Sequence, residues 1–458
     1  MHLITADWIH HAGTFRRDHA LLLGDDGRIA AAGPRAEVEA QAGEARRTEW
    51  VGRAVAPGTV SAHSHAFQVF LRGRSDHPRS FKDWVKRHLY PLVERLDDDS
   101  LEAASLLCFN QMLRAGITTV GEFHYIHNAA GPQPTPRMAE LAHLVIGAAR
   151  RVGLRLGFIA TIYDVQERPG QARMAQEVPQ ALDYVRALHA EYRDDPMVEV
   201  LLAPHSLHGA TQEAIEASAA LATELDTRWH IHLAEQEGDP AYSRRTHQAG
   251  PLEVLDRWGV LSARTVLVHG VWLSPEERAL LAERGGGLVS NPSTNMALGD
   301  GIAPLCDYLD RGVTVGLGTD MNAAPNVFQE LRTAEYLQRV HNLRMGCLPR
   351  HEAADPDPAR LFAMGTRHGA DLLGVEAGEL SAGRWADLLV IDLDDPSLLP
   401  GSHEGGDALL NALSSSMVPE TALAEVWVGG KPVARGGEAL GLPLEELRAR
   451  VRGAAALR

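Results

Sequence analysis

The residues with the clearest chemical potential are two histidines one residue apart, in Pro57-Gly58-Thr59-Val60-Ser61-Ala62-His63-Ser64-His65-Ala66-Phe67-Gln68. The stretch reads as a short apolar strand. On an extended chain residues i and i+2 face the same way, so His63 and His65 can put two imidazoles into one small volume. That suits a metal, yet an isolated His-x-His serves equally well as packing. The rest of the chain must supply further ligands, and two later stretches offer them: His230-Ile231-His232, followed by Ala234-Glu235, and Gly318-Thr319-Asp320. Three imidazoles and a carboxylate make a hydrolytic metal site that leaves room for a water, whose pKa the cation lowers towards neutrality. His232 is preferred over His230 as the third imidazole. Glu235 follows it by three and can then stand beside that water, whereas His230 lies deeper in the strand, where it suits packing or support. The fourth strand ends Leu202-Ala203-Pro204-His205 with no lysine to bridge two ions, so one metal is the simpler expectation.

Those side chains meet only if several elements bring them together. Strand-like runs at 54–62, 117–123, 154–162, 198–203, 227–233, 265–268, 287–290 and 313–317 alternate with helix-compatible stretches such as Ser100 to Ala115, Thr211 to Leu225 and Ser274 to Arg284. Eight such units in about 320 residues is the order of a (β/α)8 barrel, with an open doubly wound sheet as the competitor on counting alone. The strand ends discriminate. In turn they carry His63-Ser64-His65, Glu122-Phe123-His124-Tyr125, Tyr163-Asp164, Pro204-His205-Ser206, His232-Leu233-Ala234-Glu235, His269-Gly270, Asn291-Pro292 and Gly318-Thr319-Asp320. A barrel converges all these carboxyl ends on one mouth, whereas an open sheet would spread them along an edge.

The first 56 or so residues and the last 80 or so have a different texture, with short β-like runs joined by turns such as Asp26-Gly27, a hairpin signal. Neither end is large enough to bury a core alone. The expected organisation is a TIM-type barrel domain over 58–375 and a small β-sandwich domain built from 1–57 and 376–458.

Composition narrows the partners. A net charge of -16 without a concentrated basic face excludes a nucleic-acid role. No apolar run reaches membrane-spanning length, and the start lacks a secretory pattern, so a cytoplasmic protein is expected. The 3 cysteines, Cys108, Cys306 and Cys347, lie far apart and fit free thiols in a reducing compartment. Any transition metal would then draw on the 22 histidines and on carboxylates.

Taken in order, Pro57-Gly58 into His63-Ser64-His65, His232-Leu233-Ala234-Glu235, Val268-His269-Gly270, Asn291-Pro292-Ser293-Thr294-Asn295-Met296, Gly316-Leu317-Gly318-Thr319-Asp320 and Gly383-Arg384-Trp385-Ala386-Asp387-Leu388-Leu389-Val390 form a highly specific set. In these the chain resembles the amidohydrolase superfamily, in its deaminase and chlorohydrolase branch, over essentially its whole length. The resemblance implies a distorted barrel flanked by a β-sandwich, a mononuclear zinc or iron centre, and hydrolytic release of ammonia from an amidine-like carbon. It implies that His63, His65, His232 and Asp320 hold the metal and that Asp320 also orients the attacking water. Glu235 would take the water's proton and deliver it to the leaving nitrogen, and His269 would hydrogen-bond the developing tetrahedral centre. A homodimer is expected on the same grounds.

For the substrate, Gln68, Trp84, Tyr125, His205 and His208 are the expected pocket residues. Gln68, Trp84, Glu122 to Tyr125 and Pro204 to Leu207 are similar to formimidoylglutamate deiminase. That enzyme uses two arginines for its dicarboxylate substrate, and this chain has Val85 and His208 in their places. Neutral histidine does not replace a bidentate guanidinium, which leaves Arg72, Lys86 and Arg87 as the alternatives. Phe81-Lys82-Asp83-Trp84-Val85 and Asn291 to Met296 are closer to enzymes that deaminate purine, pterin or triazine rings, in which Gln68 could read a ring carbonyl and Trp84 or Tyr125 could stack. Chlorohydrolase or amide hydrolase chemistry on the same scaffold, and a metal-binding protein without turnover, are the alternative functions.

Overall fold

The computed structural model describes residues 1–75, 77–131, 134–349, 357–415 and 420–454. Two sheets organise them. The first is eight-stranded and entirely parallel, its strands pairing in sequence order: Thr59–Ser64, Ile117–His124, Arg155–Ile162, Val198–Pro204, Trp229–Leu233, Thr265–His269, Gly287–Ser290 and Val315–Leu317. Six of the eight are buried at every position, the pattern of parallel strands covered on both faces. Their Val, Ile, Leu and Thr residues are the β-branched and aliphatic types that such strands need.

The sheet closes at its carboxyl end. Ser64 bridges Asp320 in parallel, the amides of Thr319 and Asp320 each donate to His63 O at 3.0 Å, and His65 N donates to Asp320 O at 2.9 Å. The first and last strands are thus joined at the residues expected to hold a metal. At the opposite end the helix Arg367–Leu373 plugs the floor. Leu372 and Leu373 occupy the room that side chains would fill at Gly121, Gly157, Gly287 and Gly316, on the second, third, seventh and eighth strands. His230 belongs to this floor: it is fully buried, with Nε2 3.2 Å from Leu372 O.

The outer helices start where the sequence caps them. Asp97 caps Asp98–Arg114, Thr211 caps Gln212–Glu224, and Ser274 with Glu277 forms a capping box at Pro275–Glu283. One sequence expectation is corrected. The run 54–62, read as a single strand, breaks at Gly58: Arg46–Pro57 belongs to the second sheet and Thr59–Ser64 to the barrel. At the switch Gly58 N still donates to Asp387 O of the second sheet while Thr59 N donates to Gly116 O on the barrel side, and the close approach of Thr118 leaves no room for a Cβ at Gly58.

The second sheet has nine strands drawn from both chain ends. Arg46–Pro57 and His2–His11 pair in parallel, and the remaining pairs are antiparallel, including Leu388–Asp392 against Arg46–Pro57. The Asp26-Gly27 turn joins His19–Leu23 to Ile29–Pro34, and Gly27 takes a φ of 82° while its backbone lies against Gly429. An Arg28–Trp385 bridge folds this sheet over a core that includes Ile4, Leu21, Val55, Leu388, Val390 and Trp427. The helix Leu444–Gly453 instead packs on Asp98–Arg114, where Arg450 pairs with Glu102 at 2.5 Å. Among the described residues, no helix is long and apolar enough to cross a membrane.

Candidate metal centre and active site

Three imidazole nitrogens, from His63, His65 and His232, lie within 4.8 Å of one another at the barrel mouth. His63 Nε2 is 3.1 Å from His232 Nε2, and Asp320 Oδ1 lies 3.7 Å from His63 Nε2 and 3.6 Å from His65 Nε2. Ligand atoms ~2.0–2.1 Å from a tetrahedral ion sit roughly 3.3–3.4 Å apart, so these separations suit one cation. The ring orientations agree. His65 Nδ1 faces Phe123 O at 2.9 Å and His232 Nδ1 faces His205 O at 3.0 Å, which places the proton on Nδ1 and leaves the Nε2 lone pair turned inward. The His232 Nε2 lone pair faces His63 Nε2 at 3.1 Å, so either a His63 N–H or a shared cation can occupy the space between them.

Burial sets the charge states. It pushes the His63 and His232 imidazoles well below the ordinary histidine range and His65 down to about 3, which favours the neutral form of all three. Burial also raises the Asp320 carboxyl to about 7, against the pull of His269, and raises Glu235 to about 8 with help from the Asp239 charge. Glu235 therefore holds or yields a proton near neutral pH, as an acid-base shuttle must.

His269 sits between these carboxylates, its Nε2 3.8 Å from Glu235 Oε1 and 3.8 Å from Asp320 Oδ2. Its Nδ1 faces Asn295 Oδ1 at 3.1 Å. Backbone strain gathers at the same places: Ala234, His269, Asp320 and Asn322 all take positive φ, at 52°, 78°, 48° and 58°. Left-handed backbone at a non-glycine residue is unfavourable by about 1–3 kcal/mol, and it persists where surrounding bonds over-determine it. Here it turns the His269 and Asp320 side chains off their strand ends into the mouth.

The amidohydrolase family profile matches residues 54–433. The chain belongs to the amidohydrolase family. Among its relatives are a 5'-deoxyadenosine deaminase from Methanothermobacter thermautotrophicus, 33% identical over 402 residues that cover 87% of this chain and 86% of the relative, and a formimidoylglutamate deiminase from Pseudomonas aeruginosa, 33% identical over 423 residues that cover 90% and 91%. A zinc-bound adenosine deaminase from Xanthomonas campestris superimposes with a TM-score of 0.84 at 27% identity, covering 99% of this chain and 97% of that one. An atrazine chlorohydrolase from Arthrobacter aurescens, at 22% identity and a TM-score of 0.86, shares the fold, covering 99% and 100%. This amidohydrolase is accordingly a hydrolase that acts on carbon–nitrogen bonds of a small molecule, with deaminases as its relatives.

Around the amidohydrolase centre the expected pocket residues divide. Gln68 donates from Nε2 to Tyr125 Oη at 3.0 Å, and the Tyr125 ring stands edge-on to His65 and His205, with centroids 4.9 and 5.7 Å away. His205 lies 4.9 Å from His232, ring to ring, and burial holds it neutral at about 3. Trp84 is buried beside Phe81, its indole N–H without a partner among the described residues. His208 lies apart from the cluster, half-exposed, with Nε2 3.2 Å from Asp239 Oδ1 and its ring on Tyr242. Arg72 donates to Asn322 O and Gln111 Oε1, and Arg87 pairs with Asp83 on the surface.

Asp300 was not foreseen. It is buried in Gly299-Asp300-Gly301, and a carboxylate oxygen lies within 4.8 Å of both Glu235 and His269. Its only advance sign was an acidic residue between two glycines, in the segment after the helix Pro292–Leu298 that follows the seventh strand. Gln236 and Asn295, which orient Asp300 and His269, carried no chemical signal beyond lying beside Glu235 and within the Asn291–Met296 motif.

Proposed function

We propose that this protein is a metal-dependent deaminase acting on a heteroaromatic amine of adenine-nucleoside type. It would bind one divalent ion, zinc first and iron second, through His63, His65, His232 and Asp320. The carrying observation is the convergence of three neutral imidazoles and Asp320 on one side of the mouth, with Glu235 and His269 facing them. The ion would supply Lewis acidity that makes water nucleophilic near neutral pH. The chain's own residues do the rest. Asp320 orients the attacking water, and Glu235 takes its proton and passes it to the leaving nitrogen. His269 hydrogen-bonds the tetrahedral centre as charge develops there. Mere retention of a metal would require neither Glu235 nor His269.

The ring substrate is preferred because Arg72, Arg87 and His208, three of the groups that could hold a dicarboxylate, are engaged elsewhere. Arg72 is committed to the framework around Asn322, and His208 to Asp239. Tyr125 and His205 offer aromatic walls beside the imidazoles, and Gln68 Oε1 is buried and without a partner among the described residues. A formimidoylglutamate-type substrate is the second reading, favoured by the meeting of Gln68, Tyr125 and His205. The barrel over 58–375 with a separate small domain, a homodimer, and a reducing cytoplasmic setting for three free thiols complete the proposal.

An ammonia-release screen of zinc-loaded protein tests it, with 5'-deoxyadenosine, 5'-methylthioadenosine, an aminotriazine, formimidoylglutamate and a chlorotriazine as candidates. Turnover of the nucleosides is expected. Strong turnover of formimidoylglutamate alone would replace the ring reading with the second one. Chloride release without ammonia from any amine would overturn deamination.

A further inference from the structure

Asp300 is a buried carboxylate, 1% exposed, in the catalytic mouth. Gln236 Nε2 donates to its Oδ1, while its Oδ2 is buried with no partner among the described residues. The backbone around it is fixed: Asp300 N donates to Asn295 O at 2.9 Å and the Trp272 indole N–H to Asp300 O at 2.6 Å. The carboxyl is therefore held in place, next to Glu235 and His269, with Oδ2 unused; burial and the Glu235 charge raise its proton affinity, and a ligand N–H directed at Oδ2 favours the ionised, accepting form. An unsatisfied buried acceptor of this kind is unfavourable by about 1–3 kcal/mol, more when charged, so a site that keeps one fits a ligand that supplies the donor.

The position identifies the donor's chemistry. The neighbours within 4.8 Å are Glu235, which would deliver a proton to the departing group, and His269. A departing amine carries N–H bonds beyond the one Glu235 makes, and those hydrogens need an acceptor on the same side. Chloride and alkoxide leaving groups carry none. We propose that Asp300 is a specificity-determining residue whose Oδ2 accepts an N–H of the substrate's leaving nitrogen, selecting amines and imines over substrates with other leaving groups. This rests on the deaminase reading and adds a residue and a selection rule to it.

The test pairs each amine substrate that the zinc-loaded wild type deaminates with its congener carrying methoxy in place of the leaving nitrogen. It compares wild type with Asp300→Asn. Loss of the hydrogen bond, with Oδ2 replaced by a donor, predicts a fall of about 10-fold in kcat/KM for the amine. Turnover or inhibition by the methoxy congener should change by no more than about threefold, which is within a lost neutral contact. Zinc content and melting temperature, measured on both proteins, identify a variant that has lost the fold. If that occurs, Asp300→Glu takes its place and should retain the amine preference. Equal losses on both members of a pair would mean that Asp300 acts through Glu235 or supports the fold, and would overturn the proposal, as would an unchanged amine rate. A wild type that releases no ammonia would instead defeat the deaminase reading before Asp300 is altered, and this inference with it.

Discussion

Asp320 is the one member of the four-residue cluster with a proton to lose near neutral pH. Burial holds its carboxyl at about 7, whereas the same burial lowers the imidazoles of His63, His65 and His232 well below the ordinary histidine range and so favours their neutral forms. A metal must displace the proton from Asp320 below pH 7 and displaces none from the histidines. Zinc affinity should therefore fall by about tenfold for each unit of pH below 7 and level off above it, with about one proton released on binding. Calorimetric titrations in buffers of different ionisation enthalpy measure both quantities. Asp320→Asn should abolish the pH dependence and weaken binding; an affinity that falls by two or three decades per unit would place the protons on the imidazoles instead. Glu235 poses the complementary test. Glu235→Gln keeps the shape and removes the shuttle, so ammonia release should drop by about 10²- to 10⁴-fold while bound zinc, measured by atomic absorption, stays at the wild-type level.

At the scale of elements, the site depends on the turn that follows the last barrel strand. Asn322 Nδ2 donates to Asp320 O at 2.8 Å and to Ser64 Oγ at 3.1 Å, while its Oδ1 accepts from Thr319 Oγ1 at 2.7 Å. Ser64 in turn donates to the buried Glu122 at 2.6 Å, and Glu122 accepts from Ala66 N at 2.7 Å. This chain of bonds ties the first two strands to the eighth and fixes the left-handed backbone of Asp320. Asn322→Ala would remove three buried hydrogen bonds, leaving Thr319 only Ser61 and Ser64 only Glu122 as side-chain partners, and would leave a non-asparagine side chain at positive φ. The expected loss is about 2–4 kcal/mol in urea unfolding, together with weaker zinc binding. A variant within about 0.5 kcal/mol of wild type would show that the turn holds itself. None of this bonding was visible in the sequence. The eight barrel strands were legible because parallel strands buried on both faces announce themselves as apolar runs, and their order placed His63, His65, His232, Glu235, His269 and Asp320 at one end. The break at Gly58, the plug formed by Leu372 and Leu373, and the inward Asp300 come from contacts between segments far apart in the chain. No local pattern of residue types encodes them.

At the scale of the molecule, the barrel and the small sheet are joined by a charge pair that water does not reach. Arg155, at the start of the third barrel strand, donates from Nε and Nη2 to both oxygens of Asp387 at 2.7 and 2.9 Å, and the two side chains are 2% and 0% exposed. Asp387 stands just before the strand Leu388–Asp392 of the second sheet and also accepts from Gly429 N at 2.7 Å; the guanidinium lies 4.5 Å from the Trp385 ring centroid. A buried pair of this kind adds little over a well-packed apolar pair, because desolvating two charges offsets most of their attraction, yet removing one partner leaves the other charge buried and uncompensated. Arg155→Met should therefore destabilise the protein by about 3–5 kcal/mol. The double variant Arg155→Met, Asp387→Leu should recover part of that loss, limited by Gly429 N, which loses its acceptor once Asp387 is replaced. Urea unfolding followed by tryptophan fluorescence reads the outcome. Trp385, Trp427 and Trp50 report on the small sheet and Trp229 on the barrel, so a joint that couples the two units should keep a single transition in wild type. A single variant as stable as wild type would mean that apolar packing alone joins the two sheets and that the ion pair contributes nothing to holding the active-site barrel in register.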